Sequence, residues 1–225
     1  MRSLTSTLSS LARGAALALA PTLVACGGPT VGELAAQEVT LTVTGIASAP
    51  DVASIGEPQG GLGVSRAFLS TIALRFEPCD AGAADVSLAP RAYDLLSEPA
   101  PSETITTAVQ ALCGLRVDIG RATSSVDGVP DDATLYVEGT LDDGEPFSSA
   151  SEATSTLRFE AGSSGSFGDQ PLLLGVDVSS WLADRTASSD PLSEGLVGAA
   201  ALYIDANGNG ELDDDEQEPR LASAP

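Results

Sequence analysis

Apolar and polar residues alternate with a period of two at several places along this chain. Val39, Leu41 and Val43 are interleaved with Thr40, Thr42 and Thr44. Ile72, Leu74 and Phe76 flank Ala73 and Arg75 and lead to Pro78 and Cys79. The same alternation runs through Leu115, Val117 and Ile119, through Leu135, Val137 and Gly139, and through Leu157 and Phe159. Successive side chains of a strand point to opposite faces, so each run predicts a strand with one buried face. Leu172 to Val178 reads as a further strand with Leu174, Val176 and Val178 inward, and Leu196 to Ile204 as a last one with an Ala-rich start. Turn-forming clusters separate these runs: Pro58-Gln59-Gly60-Gly61, Asp127-Gly128, Asp143-Gly144 and the Gly/Ser stretch from Gly162 to Gly168. Asp143-Gly144, lying between a strand and Phe147, predicts a hairpin. Short helical turns are predicted at 93–97, 103–112 and 180–183, with Trp181 as a core or edge anchor. About seven or eight strands punctuated in this way predict an all-β fold, an antiparallel β-sandwich of immunoglobulin-like or transthyretin-like kind. It would form one domain from residue 38 to 225.

Composition narrows the chemistry. The 225 residues include 32 Asp and Glu against 10 Arg, with no Lys and no His, for a net charge of −22. A His-based triad, a His-ligated zinc, a Schiff-base lysine and a P-loop lysine are therefore excluded. A surface of this charge repels phosphates, which argues against a nucleic-acid partner, and attracts divalent cations. Aromatic residues make up only 4%, so the core is thinly supplied with large side chains and gains from a cross-link or a bound ion.

The N-terminus reads as an address. Residues 1–25 carry Arg2 and Arg13 and no acid, and an Ala/Leu-rich run follows from Gly14 to Leu23. The run is too short to span a bilayer and fits a signal h-region. It ends Leu23-Val24-Ala25-Cys26, and here the chain resembles bacterial lipoproteins with their lipobox. The resemblance implies that residues 1–25 are removed, that Cys26 is diacylglycerated and N-acylated (palmitate being a common chain), and that 26–37 form a lipidated tether. Several acyl chains, at roughly 0.8 kcal/mol per buried CH₂, hold a protein to a membrane durably. Gly27 follows the cysteine where an Asp marks inner-membrane retention in that family, so the resemblance favours the outer membrane. With Cys26 so used, Cys79 and Cys113 remain in an oxidising compartment and are expected to form a disulfide, the alternative being two buried free thiols.

One stretch has a ligand pattern. Residues 205–216 read Asp-Ala-Asn-Gly-Asn-Gly-Glu-Leu-Asp-Asp-Asp-Glu. Asp205, Asn207 and Asn209 fall at positions 1, 3 and 5 of a twelve-residue loop, Gly210 at 6, Glu211 at 7, Asp213 at 9 and Glu216 at 12. The stretch resembles the EF-hand calcium loop at every constrained place. Calcium takes six to eight oxygens; the resemblance implies side-chain ligands at 1, 3, 5 and 12, a carbonyl at 7 and a water-mediated contact at 9. Leu212 occupies the apolar position 8. Asn207 and Asn209 are the only two Asn in the chain, and both fall on ligand positions. The flanks depart from a helix–loop–helix: Ala201 to Ile204 reads as a strand and Pro219 follows shortly after Glu216. The loop is therefore similar to the solitary calcium clips of exported bacterial proteins.

Three functions follow from these features. A lipid-anchored, non-catalytic binding or scaffold module with a structural calcium ion accounts for the most residues; its protein or glycan partner is not written in the sequence. A carboxylate-based glycoside hydrolase has little support, since so many acids make some close pair inevitable. A solute-binding lipoprotein would need a deep cleft.

Overall fold

The alternating segments form strands, and the strands form two sheets. The structure, a computed structural model, describes residues 36–46, 62–80, 82–108, 111–122, 126–141, 144–161, 165–178, 181, 191–216 and 223–224. Contacts divide the chain between Glu33 and Leu34, and every described residue belongs to the second unit. The signal segment, Cys26 and the Pro58–Gly61 turn lie outside the described residues.

The smaller sheet is built from β1 (Gln37–Ile46), β5 (Ser102–Thr107), β10 (Leu172–Asp177) and β11 (Ala200–Ile204), in the order β11-β10-β1-β5. The larger contains β2 (Leu62–Pro78), β6 (Leu112–Ile119), β7 (Leu135–Leu141), β8 (Pro146–Ser151), β9 (Ser155–Glu160) and β12 (Ser223–Ala224), in the order β12-β9-β6-β2-β7-β8. β3 (Val86–Leu88) and β4 (Arg91–Asp94) also pair with β2. The inward faces meet in one core that joins Leu41, Val43 and Leu174 of the small sheet to Leu74, Val117 and Phe159 of the large one. This is the expected all-β sandwich, antiparallel with one exception. β1 and β10 run parallel, Leu41 opposite Leu172 through Ile46 opposite Asp177. A parallel pair needs a long crossover, and here the strands of the larger sheet supply it.

The alternation in β2 is interrupted. Ala67 and Leu69 point into the core, as do Leu74 and Phe76, so the inward phase changes between them. The change comes from a bulge: Thr71 faces Ile119 and Ala73 faces Asp118, leaving Ile72 as the extra residue. Ile72 was expected inward with Leu74 and Phe76; instead it is 45% exposed. It lies over Gly120, where a Cβ would come within 2.9 Å of it. A second bulge is at Cys113, skipped between the pairs Glu77–Gly114 and Pro78–Leu112. It brings Cys113 to the end of β2, and Cys79 and Cys113 form the expected disulfide with Cα atoms 4.8 Å apart.

Three local expectations are corrected. Residues 93–97 are the end of β4 and a turn, and 103–112 are mostly β5 and the start of β6. The β-branched run Thr104-Ile105-Thr106-Thr107 favours a pleated surface over a helix. Conversely, Leu196–Ala199 belongs to a helix, α1 (Pro191–Ala199), and only Ala200 onward is strand. Proline at its first position and the Ser, Glu, Leu and Ala that follow suit a helix start. Trp181 is buried at 1% exposure, as expected of a core anchor; most of 180–183 lies outside the described residues.

The outer face of the large sheet has an unusual charge pattern. Arg75, Arg116 and Arg158 are directly opposite one another across β2, β6 and β9. Like charges so placed repel, and acids on neighbouring rows answer them. Asp118 Oδ1 accepts from Arg116 at 2.8 Å, Asp118 Oδ2 lies 3.2 Å from Arg75 Nε, and Arg158 pairs with Glu77 and Glu160. Burial alone would raise the Asp118 pKa, but hydrogen bonds from Arg116 and Thr156 and the charges of Arg116 and Arg75 outweigh it and hold it below the usual carboxylate range.

Two predictions follow from these cross-links. Reducing the disulfide, or replacing Cys79 and Cys113 by Ser, lowers unfolding stability in urea by roughly 3–4 kcal/mol through loop-closure entropy. Asp118→Asn costs about 1–2 kcal/mol at pH 7, a figure limited by the half-exposed arginines. A depressed folded-state pKa gives stability that is present above the unfolded value and lost as pH falls through the folded one. The gap between wild type and Asp118→Asn in urea unfolding is thus constant from neutrality to about pH 5 and closes below about pH 4.

Candidate metal centre

The segment 205–216 leaves the end of β11 and turns back over the outer face of the small sheet. Two glycines with positive φ, Gly208 (+70°) and Gly210 (+77°), allow the reversal. The Asp205 N–H donates to the Pro171 carbonyl at 3.0 Å, fixing the loop beside the start of β10. Gly210 reaches β1, where a Cβ on it would meet Thr42 at 3.4 Å. Leu212 packs on a small apolar cluster of Ile46, Leu173 and Tyr203 on that outer face. Gly175 lets the cluster close across β10, because a Cβ there would lie 2.9 Å from Ile46 and 3.1 Å from Tyr203.

Within this frame the predicted side chains converge. Asp205 is 2% exposed and Glu216 8%. Asp205 Oδ1 accepts from the N–H groups of Gly208 and Asn209 at 2.7 and 3.1 Å, and Oδ2 from that of Gly210 at 2.8 Å. Glu216 reaches back to the loop entrance: Oε1 accepts from Ala206 at 2.6 Å and Asn207 at 3.4 Å, and Oε2 from Asp213 at 3.3 Å. The Oδ1 atoms of Asn207 and Asn209 accept from the backbone two residues on, each at 2.8 Å. Their Nδ2 groups donate to Asp213 Oδ2 at 2.6 and 3.0 Å. Five of the six predicted ligand residues are thus tied into one cluster. The sixth, Glu211, has an exposed side chain, in keeping with a role confined to its carbonyl.

The donor set is one of hard oxygens, suited to calcium or magnesium and unsuited to soft metals. Asp205 and Glu216 are two buried carboxylates in twelve residues, and among the described residues both are met by N–H groups rather than by a guanidinium. Asp205 Oδ2 and Glu216 Oε2, which accept one N–H each, retain a second lone pair for an ion. In the orientation observed, however, the acids face N–H donors, and among the described residues no three Asp, Glu or Cys side chains form a ready metal site. An ion would have to draw Asp213 away from the asparagine amides.

Elsewhere the carboxylates give no sign of hydrolase geometry among the described residues. Glu152 has a raised pKa, through a hydrogen bond and charge from Asp132, some desolvation, and Arg121 in opposition. Both acids are exposed, unlike a general acid sheltered in a cleft.

Sequence reasoning missed what surrounds the loop. Tyr203 and Asp177 are both buried and line a cavity beside Leu212. Burial first, and the Asp177 carboxylate second, raise the Tyr203 phenol above its ordinary value. No spacing rule connects Asp177 to Tyr203; Tyr203 is opposite Leu173, and its ring lies against Gly175, two residues short of Asp177.

No family model and no curated protein matches the chain. Among solved structures, MbnP from Methylosinus trichosporium is similar over 66% of this chain and 78% of that one, at 13% identity and a TM-score of 0.42. A likeness at that level carries no inference about ligand or activity.

Proposed function

We propose that the protein is a lipid-anchored component of a bacterial envelope, held by Cys26, and that its β-sandwich is a non-catalytic binding or scaffold module stiffened by calcium at 205–216. The observation that carries the calcium reading is the burial of Asp205 and Glu216, at positions 1 and 12 of the loop, where among the described residues only N–H donors meet them. Asp205, Asn207, Asn209 and Glu216 would supply side-chain oxygens, Glu211 its carbonyl, and Asp213 a water-mediated contact. The ion would neutralise buried negative charge and fasten the chain after β11 to the sheet beneath Leu212. The anchor reading rests on the order of charged, apolar and small residues before Cys26.

Calcium added to the EGTA-treated, unlipidated full chain (Cys26→Ser) binds one to one with a Kd of about 10⁻⁴–10⁻³ M. At tenfold excess over Kd it stabilises the fold by about 1.4 kcal/mol. Asp205→Ala abolishes both effects. Absence of binding heat and of any shift in melting temperature in the parent overturns the calcium reading. For the anchor, the wild-type chain made in a lipoprotein-processing bacterium has an intact mass lacking residues 1–25 and carrying diacylglyceryl and acyl groups. Cys26→Ser lacks the lipid. An unmodified Cys26 in the wild-type product contradicts the anchor.

A further inference from the structure

The two asparagines of the 205–216 loop carry a chemistry of their own, apart from any ion. Each precedes a glycine: Asn207-Gly208 and Asn209-Gly210. An Asn side chain loses ammonia when the backbone nitrogen of the next residue attacks its Cγ and closes a five-membered succinimide. Glycine hinders that attack least, having no side chain beside the nitrogen. Asn207 and Asn209 are the only asparagines in the chain, and both are exposed.

The fold holds the reacting groups in order. The Gly208 N–H, whose nitrogen would attack Asn207, donates to Asp205 Oδ1 at 2.7 Å. The Gly210 N–H, whose nitrogen would attack Asn209, donates to Asp205 Oδ2 at 2.8 Å. A carboxylate that draws on an N–H makes the nitrogen more electron-rich. Asn207 Oδ1 accepts from the Asn209 N–H and Asn209 Oδ1 from the Glu211 N–H, each at 2.8 Å. These oxygens become negative as Cγ turns tetrahedral, and an N–H already aimed at each lowers the barrier. The two Nδ2 groups, which leave as ammonia, donate to Asp213 Oδ2. The two glycines differ in their surroundings. Gly208 is exposed, whereas Gly210 is half-buried, with Thr42 3.4 Å from where its Cβ would stand.

We propose that Asn207 and Asn209 are self-modifying sites that lose ammonia in the folded protein, Asn207 first. The Gly208 nitrogen bonds to Asn207 Cγ and gives its proton to solvent. Nδ2 takes up a proton from water, the Cγ–Nδ2 bond breaks, and ammonia departs. Water then opens the succinimide at one carbonyl to give aspartate, or at the other to give isoaspartate. Nothing is oxidised or reduced. Asn209 and Gly210 follow the same course, more slowly because Gly210 is pinned against β1. Each conversion turns an amide that donates to Asp213 into a carboxylate that repels it. The hydrogen bonds lost are those that hold Asp213 away from a cation, and added ligand charge tightens calcium binding. This consequence rests on the calcium reading; the loss of ammonia does not.

Mass spectrometry of the full chain (Cys26→Ser), kept warm and folded at mildly alkaline pH in EGTA, tests the reaction. The mass falls by one ammonia and then rises by one water, and peptide maps place the change at Asn207 before Asn209. The folded chain reacts at least as fast as the same chain unfolded in guanidinium chloride. Asn207→Ser, whose hydroxyl can still accept from the Asn209 N–H, removes the early phase, and Asn209→Ser leaves it. A folded chain that reacts more slowly than the unfolded one overturns the proposal, because the loop then shields its asparagines. Reaction at Asn209 before Asn207 overturns the stated order and the role of Gly210. The double variant Asn207→Asp, Asn209→Asp reproduces the aspartate product. It melts below the parent in EGTA and gains more than the parent from added calcium; an unchanged melting temperature in EGTA overturns the repulsion of Asp213. Ammonia loss together with no calcium response in either chain upholds the modification and removes only the calcium reading.

Discussion

The arrangement of the small sheet turns on β10, whose six residues, Leu172 to Asp177, are all buried. A strand of a two-layer sandwich ordinarily hides one face and shows the other to water. β10 hides both. Leu172, Leu174 and Val176 face the shared core, and Leu173 on the opposite side needs its own cover. Ile46 and Tyr203 from the flanking strands provide part of it, and Leu212 from the 205–216 loop provides the rest. The loop is therefore part of the packing of the sheet. Burying a leucine is worth roughly 1.5–3 kcal/mol, and that energy is available only if the loop holds Leu212 in place.

Holding it has an electrostatic cost. The loop has six acids among its twelve residues in a chain of net charge −22, and two of them are buried. Backbone N–H groups answer these carboxylates. An N–H dipole offsets less of a buried charge than a cation does. The large sheet meets the converse problem with arginines: Arg75 and Arg116 converge on Asp118, and Arg158 on Glu77 and Glu160. Lys is absent from the chain, and the divalent ion proposed above would supply the loop with a counter-charge. The same contacts shape the neighbouring cavity, since residues 209–212 are both loop and wall.

Much of this was legible in the sequence, and the failures have physical causes. Alternation located β1, β6, β7 and β9 because polar side chains recur at every second position of each. It placed Ile72 on the wrong side, because a bulge inserts a residue without any local signal beyond a neighbouring glycine, Gly120. The apolar run at 172–178 marked a strand and did not reveal that it pairs in parallel with a partner more than a hundred residues earlier; that is a long-range choice. Residues 103–112 read as helical because Val109 and Leu112 fit a helical spacing, whereas the β-branched threonines decided for strand. The ligand positions of the loop could be read since they are local and ordered. The cavity could not, because Asp177, Tyr203 and Glu98 meet only after the sheet has formed.

The central claim is that the 205–216 loop, loaded with calcium, clamps the outer face of the small sheet. Hydrogen exchange of the full chain with and without calcium tests it most directly. The account predicts slower exchange on adding calcium at Leu173–Val176 of β10 and Ala201–Ile204 of β11 as well as within the loop. Protection confined to residues 205–216, or absent altogether, would contradict it.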